Sequence, residues 1–518
     1  MLLLFPLVVA GELPTDVRLQ RVCNHLVAEL AEPLRAATVV VVLETEPDTD
    51  LDALTTDCIR LGVEVQVEAR GLVQVETSWD QLDELANLAG VTHVREPLLA
   101  SPKDEVTEGK DVIFTEDWHE AGIDGTGVKV AVLDVGFSGW EDLVGTELPE
   151  GIVDHGRGGE DDDAVTGTSA HGTAVSEVIH DIAPGAELHL WQFRTDVEYF
   201  AALEEILTED IDVVNASIGF DNVWHADGAS PFAQAVDQLV AEGIVYIAAA
   251  GNETGKYRIG ELTDVDGDGW AEIDGMDSVQ VTNAFAGSSV SLRWSEPFGE
   301  ASTDLDLVLF DDDGDQCDIS EEVQDGDDDP TESAECVVNG PWVHAWIRVD
   351  NGSVEGLTAY VYARYGVTFA AEVGTLTLPA DAEGAISIGA YDGRSDALLE
   401  YSSRGPTVDG RMKPDFVAPS GVSTTSYSVP FDGTSAAAPH VTGVAALILD
   451  RKRRNATSED VYAVLLEQAE DLGEPGSDND FGHGAVHTVE LPGRCGCASF
   501  GLGGGWFLAV VVLLRRRC

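Results

Sequence analysis

Basic residues are scarce in this chain. Its 518 residues include 28 Lys plus Arg against 95 Asp plus Glu, a formal net charge of −67. A charge of that sign opposes a phosphate backbone and excludes nucleic acid as a partner. The acidic residues make a heavily solvated surface, with bound calcium as the local exception where carboxylate oxygens cluster. Cysteines number seven, too few to staple a chain of this length, so folding rests on large hydrophobic cores in two to four domains. Cys317 with Cys336, and Cys23 with Cys58, are candidate pairs in an oxidising compartment. Long apolar runs are missing too. "MLLLFPLVVA" at residues 1–10 reads as the apolar region of a secretory signal, with Val8 and Ala10 ahead of a cut at Gly11, although it lacks a basic leader. Trp506 to Leu514 is apolar but so short that it barely spans a bilayer even with the preceding glycines counted, and Arg515 to Arg517 after it would stay on the cytoplasmic side.

The end of the chain, "CGCASFGLGGGWFLAVVVLLRRRC", resembles the myxobacterial-type C-terminal sorting tag, in which a Gly-Cys element precedes an apolar helix and a basic stop. The resemblance implies membrane contact through residues 492–518 before removal at export. A simple anchor is the alternative, and both readings place the protein at the cell surface or outside it.

Residues 11–100 form a first unit. "ATVVVVLE", "DLDALTTDCIRLG", "VEVQVEA", "LVQVETS", "WDQLDELANLAG" and "VTHVREP" run strand, helix, strand, strand, helix, strand, the order of a ferredoxin-like α+β domain. From Asp124 the pattern changes. "VKVAVLD", "ELHLWQF", "IDVVNAS" and "GIVYIAAA" are near-continuous apolar runs, as strands covered on both faces should be. Helical patterns alternate with them, and "TAVSEVIHDI" puts Val175, Val178, Ile179 and Ile182 on one face. This predicts an α/β domain built on a right-handed parallel sheet, whose ligands gather at the carboxyl ends of the strands. The alternation stops over residues 254–375, an acidic stretch of short alternating strands that reads as a β-sandwich-like insertion. The α/β pattern, begun at residues 101–253, resumes over 376–491.

Chemistry-bearing residues fall at the ends of these elements. Asp134 ends "VKVAVLD", at the rim of the sheet. His171 opens "HGTAVSEVIHDI", with Gly-Thr allowing a tight turn into the helix. Ser435 follows Gly433 and Thr434 at the start of "SAAAPHVTGVAALIL", where a helix N-terminus favours developing negative charge. Five residues along that helix, His440 points away from Ser435 and is a packed helix residue rather than its base.

"VAVLDVGFSG", "HGTAVSEVI", "AAAGNE" and "DGTSAAAPHVTG", in that order, closely resemble the four signatures of subtilisin-like serine proteases. The resemblance covers roughly residues 111–253 and 376–491. It implies a subtilisin-like sheet with flanking helices, polypeptide substrates and hydrolysis through an acyl-enzyme. Carried over position by position, it makes Ser435 the nucleophile, His171 the base and Asp134 its orienting carboxylate. Asn252 becomes an oxyanion donor. It further implies that Ser217, Ile218 and Gly219 pair with an extended substrate, while Ala249, Ala250 and Gly251 wall its main specificity pocket. Phe220 and Trp224, just beyond, either wall a subsite or pack. The chain departs from the family at Ala174, at Ser176-Glu177 and at Ala436. The first unit resembles the propeptides that assist folding of these proteases and then inhibit them, with release near "LLASPKDEVTEGKD"; a retained accessory domain is the alternative.

Within the insertion, "DVDGDGWAEIDG" sets Asp264, Asp266 and Asp268 at alternate positions ahead of Gly269, the first half of an EF-hand loop. Gly275 stands where the closing Glu would be, so calcium binding and a plain acidic turn are both open. A reading from another class also stands: a non-catalytic envelope protein whose insertion binds a ligand on a protease-like scaffold.

Overall fold

The computed structural model describes residues 38–46, 49–78, 81–95, 97, 101–102, 110–113, 115–157, 169–283, 287–338, 340–452 and 456–488. The signal-like residues 1–10, Cys23 and the tag at 492–518 lie outside them. Among the described residues no helix is long and apolar enough to cross a membrane.

The first unit contains β1 (Thr38–Thr45), α1 (Leu51–Arg60), β2 (Glu64–Ala69), β3 (Leu72–Ser78), α2 (Leu82–Ala86) and β4 (Val91–Arg95). Its strands pair antiparallel in the order β2-β3-β1-β4. Arg70 and Gly71 both have positive φ, at 51° and 79°, the backbone that a two-residue hairpin matching the strand twist requires. Val41, Leu43, Val73 and Val75 pack under the two helices with Leu54, Cys58, Leu82 and Leu85. Cys58 corrects an expectation: it is a free, buried thiol, pushed up to about 11 by burial first and by Asp57 second. Alternation sends Val42 and Val67 to the opposite face, where they join the core of the next unit.

The chain then passes through β5 (Ser101–Pro102) and the short helices α3 (Lys110–Ile113) and α4 (Glu116–Glu120). It enters an α/β unit of β6 (Lys129–Asp134), β7 (Val153–Arg157), α5 (His171–Ile182), β8 (Glu187–Gln192), α6 (Asp196–Ile206), β9 (Val213–Ala216), β10 (Ile218–Gly219), α7 (Pro231–Ala241) and β11 (Val245–Ala249). Nine antiparallel strands interrupt it: β12 (Tyr257–Thr263), β13 (Trp270–Ile273), β14 (Val279–Thr282), β15 (Ser288–Trp294), β16 (Asp304–Asp311), β17 (Gln316–Ser320), β18 (Thr331–Cys336), β19 (Trp342–Asn351) and β20 (Thr358–Ala363). The unit closes with β21 (Ile386–Asp392), β22 (Ala397–Leu398), β23 (Phe416–Pro419), α8 (Thr434–Arg451) and α9 (Ser458–Gln468).

The central sheet runs β22-β21-β11-β9-β6-β8-β7, with β23 also on β21. Its pairs are parallel except β21 with β22. Along β6, Val130 and Val132 face one core while Ala131 and Leu133 face the other, so neither side meets water. The first core is covered by α5 and α8, which touch where a Cβ on Gly443 would lie 2.5 Å from the Cβ of Ile182. The second is covered by α6 and α7 and, beyond them, by the first unit. Gln74 Nε2 donates to Glu198 Oε1 (3.1 Å), Thr195 Oγ1 donates to Gln74 Oε1 (2.8 Å) and Arg95 Nη2 donates to Asp196 Oδ2 (2.6 Å).

Eight of the nine inserted strands pair in the order β17-β16-β19-β13-β12-β20-β15-β18, with β14 also on β19, around a core of Val290, Leu292, Trp294, Leu305, Leu307, Leu309, Val343 and Ile347. A Cys317–Cys336 disulfide joins β17 to β18, as the spacing had allowed.

Candidate active site

Asp134, His171, Asn252 and Ser435 come from four separate segments at the carboxyl end of the parallel sheet, the rim at which such sheets present functional groups, and the bonds there join His171 to Asp134 and Asn252 to Thr434, the residue before Ser435. Asp134 is the last residue of β6, His171 the first of α5 and Ser435 the second of α8, while Asn252 follows β11. His171 Nδ1 lies 2.7 Å from Asp134 Oδ2, and both residues are wholly buried. The other oxygen, Oδ1, accepts the Val135 N–H at 2.8 Å. Phe431 meets the imidazole edge-on at 5.2 Å between centroids. The glycine after His171 has a steric cause: a Cβ on Gly172 would sit 2.5 Å from Phe137 Cε1 and 2.7 Å from Asp134 Cβ.

Gly433 caps α8 at φ 93°, in the left-handed region that favours glycine. Thr434 then donates from its N–H (2.9 Å) and its hydroxyl (3.0 Å) to Asn252 Oδ1. With that oxygen taken, the Asn252 NH2 is the end left to donate, one residue from Ser435. Ser435 Oγ donates to the Ser217 carbonyl at 2.9 Å, and Ser217 Oγ donates back to the Ser435 carbonyl at 3.0 Å. His440 is buried with Nδ1 2.7 Å from the Ala436 carbonyl and held down to about 4 by burial; it packs along the helix, as expected.

The profile of the subtilase family matches residues 125–286 and 368–484, more than half of the chain. The chain belongs to the subtilase family. Over 146 residues it is 33% identical to Serine protease AprX of Bacillus subtilis, a match covering 23% of this chain and 32% of that protein. Over 128 residues it is 34% identical to Bacillopeptidase F of the same organism, covering 23% and 9%. With the Alkaline protease of Alkalihalobacillus alcalophilus it shares 26% identity over 239 residues, covering 44% and 59%. The chain thus spans about a third or less of the length of the first two relatives. The structure of the Clostridium perfringens CspB protease superposes with a TM-score of 0.55 at 19% identity, covering 73% of this chain and 95% of that one.

Three features of this subtilase were not read from its sequence. Asn215 is wholly buried, donates from Nδ2 to Ser217 Oγ (3.0 Å) and accepts from Thr442 Oγ1 (2.8 Å), so it clamps α8 against the end of β9. A lone Asn in the apolar run "DVVNAS" was the available signal, since a buried amide must find partners. Glu177, noted only as a departure, accepts the Thr425 and Ser426 N–H groups at 2.6 and 3.1 Å. It fixes the loop that leads to Phe431, and burial raises its carboxyl.

The third feature lies on the cleft side. Ile218 and Gly219 pair antiparallel with Pro102 and Ser101, so β5 already occupies the edge expected to bind substrate. Ala250 spends its N–H on Ile388 O (2.9 Å) and its carbonyl on Thr377 N (3.0 Å), which leaves Ala249 to Gly251 as a wall without spare main-chain groups at Ala250. Phe220 is core, while Trp224 stacks on Phe298 of the insertion at 3.9 Å. Asp221 and Glu253 extend the two walls. Asp221 Oδ1 accepts from Thr377 Oγ1 at 2.8 Å, and Tyr362 of β20 places its hydroxyl 3.2 Å from Asp221 Oδ2 and 2.9 Å from Glu253 Oε2.

Asp264, Asp266 and Asp268 are brought together on the β12–β13 hairpin, with one oxygen of each within 4.8 Å of the others. Their carboxylates also accept loop N–H groups from Gly267, Asp268 and Trp270.

Proposed function

We propose that the chain is a serine endopeptidase made as an inhibited precursor. The single observation that carries the peptidase reading is the buried 2.7 Å His171–Asp134 contact, in a chain that also sets a serine at a helix N-terminus. In this reading Ser435 Oγ attacks the scissile carbonyl carbon while His171 Nε2 takes its proton. The Asp134 carboxylate holds the imidazole by Nδ1 and stabilises the imidazolium. The oxyanion is received by the Asn252 NH2 and the Ser435 N–H, a donor pair whose side-chain member is worth about 10²–10³ in turnover. His171 returns the proton to the leaving amine, and water repeats the sequence on the acyl-enzyme.

The first unit acts as a ferredoxin-like propeptide. Support comes from β5 lying along Ile218–Gly219 in the manner of a bound peptide, and from the Gln74 and Arg95 contacts to α6. The disulfide, together with the two terminal segments of the sequence, supports export to the cell surface or beyond. Asp264, Asp266 and Asp268 would hold a calcium ion, which stiffens the hairpin when bound.

Ser435→Ala in the full chain should give a folded protein, by circular dichroism and thermal melting, that neither cleaves casein nor cuts itself between residues 100 and 110. Serine-type cleavage persisting in that variant would overturn the assignment.

A further inference from the structure

The amide that receives the oxyanion in the peptidase reading is held from two sides. Asn252 Oδ1 accepts from Thr434, and on the other side the Asn252 main-chain N–H donates to Glu253 Oε1 at 3.2 Å. Glu253 is wholly buried. A buried carboxylate keeps its charge only where donors replace the lost water, so the donors around it decide how the group is oriented. The Tyr362 hydroxyl lies 2.9 Å from Oε2, and the Lys256 ammonium lies 3.4 Å from the same oxygen. The Glu253 N–H goes to Ser403 Oγ at 3.0 Å, which pins the main chain of that residue as well.

Tyr362 and Lys256 both belong to the insertion. Tyr362 stands on β20 opposite Tyr257 of β12, their rings 4.9 Å apart, and the Lys256 carbonyl accepts the Ala363 N–H at 3.0 Å. One strand ladder therefore sets both donors. Burial first, then Asp221 and Glu253, push the Tyr362 phenol well above its ordinary value. It stays protonated, with one hydrogen to give. Of its two carboxylate contacts, 2.9 Å to Glu253 and 3.2 Å to Asp221, the shorter is to Glu253.

An oxyanion donor works only if it is in place before the charge develops, and a displacement of about 1 Å costs up to about 10² in rate. We infer that Glu253 is a positioning residue for Asn252, and that Tyr362 and Lys256 make the inserted sheet a working part of the active site, complete only when the insertion has folded against it. The inference rests on the peptidase reading above.

The test compares the full-length chain with Tyr362→Phe, which removes the hydroxyl and keeps the ring, and with Glu253→Gln, each alone and combined with Asn252→Ala. Initial rates on fluorescein-labelled casein give kcat and KM. Tyr362→Phe should lower kcat about tenfold and Glu253→Gln about 100-fold. KM should stay within about twofold of the parent, because the donor acts in the transition state rather than in binding. In the Asn252→Ala chain either substitution should change kcat by less than about twofold, since the group it acts through is gone. An unchanged kcat in Tyr362→Phe overturns the inference, as does a loss of the same size in both backgrounds, which would mark a structural role independent of Asn252. If the unsubstituted chain shows no serine-dependent cleavage of casein, the peptidase reading itself falls.

Discussion

The central sheet and the inserted sheet bury their residues by opposite rules. β6, "KVAVLD", is buried from its second residue to its last, whereas the first seven residues of β19 alternate between half-buried and buried. The first pattern belongs to a parallel sheet covered by helices on both faces and the second to an antiparallel sheet with one face toward water. Polar side chains consequently mean different things in the two. Inside the parallel unit, Asp134 and His171 are buried as one bonded pair, and Asn215, Ser217, Ser435 and Thr442 are buried in one hydrogen-bond network. In the insertion the buried cation Arg293 is a fastening: it lies over the Tyr360 ring at 3.9 Å, donates from Nε to Asn222 Oδ1 at 3.2 Å and bonds His225 Nδ1. Since guanidinium only donates, His225 Nδ1 must be bare and its Nε2–H gives to Glu296 O at 2.8 Å. Burial first, and Arg293 second, hold that imidazole below its ordinary value. Buried polarity marks chemistry in one sheet and docking in the other.

That contrast can be broken experimentally. The largest effect belongs to Asp134→Asn, which should cost about 10⁴ in kcat by leaving His171 in the wrong tautomer while shifting the melting temperature little; a comparable loss of stability would make the pair structural. Arg293→Ala should destabilise the molecule by about 3–5 kcal/mol by undoing a buried polar cluster, with the insertion unfolding ahead of the parallel sheet in a denaturant titration. A single unshifted transition would contradict the docking role.

The next effect is pH-dependent. His440, ordinarily near 6.5, is held neutral with its value down to about 4. A depressed folded value means stability is complete above about pH 6.5 and is lost as pH falls toward 4, by up to roughly 3 kcal/mol. Urea midpoints of the Ser435→Ala chain across that window should fall with pH, and His440→Gln should flatten the trend. Smallest is Gly443→Ala, which forces a methyl against Ile182 and should cost about 1–3 kcal/mol by separating α5 from α8; an unchanged urea midpoint would mean the helices give way freely.

Much of this was legible in the sequence because the signals are local. Continuous apolar runs marked β6, β8, β9 and β11, the face of Val175, Val178, Ile179 and Ile182 is buried, and the segments around Asp134, His171, Asn252 and Ser435 resembled one family. Asn215, Asp221, Glu253, Thr377 and Tyr362 were not legible as a group. Each is unremarkable among its neighbours, and their meeting depends on β20 arriving from more than 100 residues away.

The sequence by itself determined the periodicities, the helix-opening glycines and the residue types that chemistry needs, because steric and hydrophobic preferences act between near neighbours. Only the tertiary structure decided that Asn215 ties α8 to β9, that Cys58 stays free and that β5 lies along Ile218–Gly219. Those outcomes depend on which distant segments share a core, and that is set by packing both faces of one sheet at once.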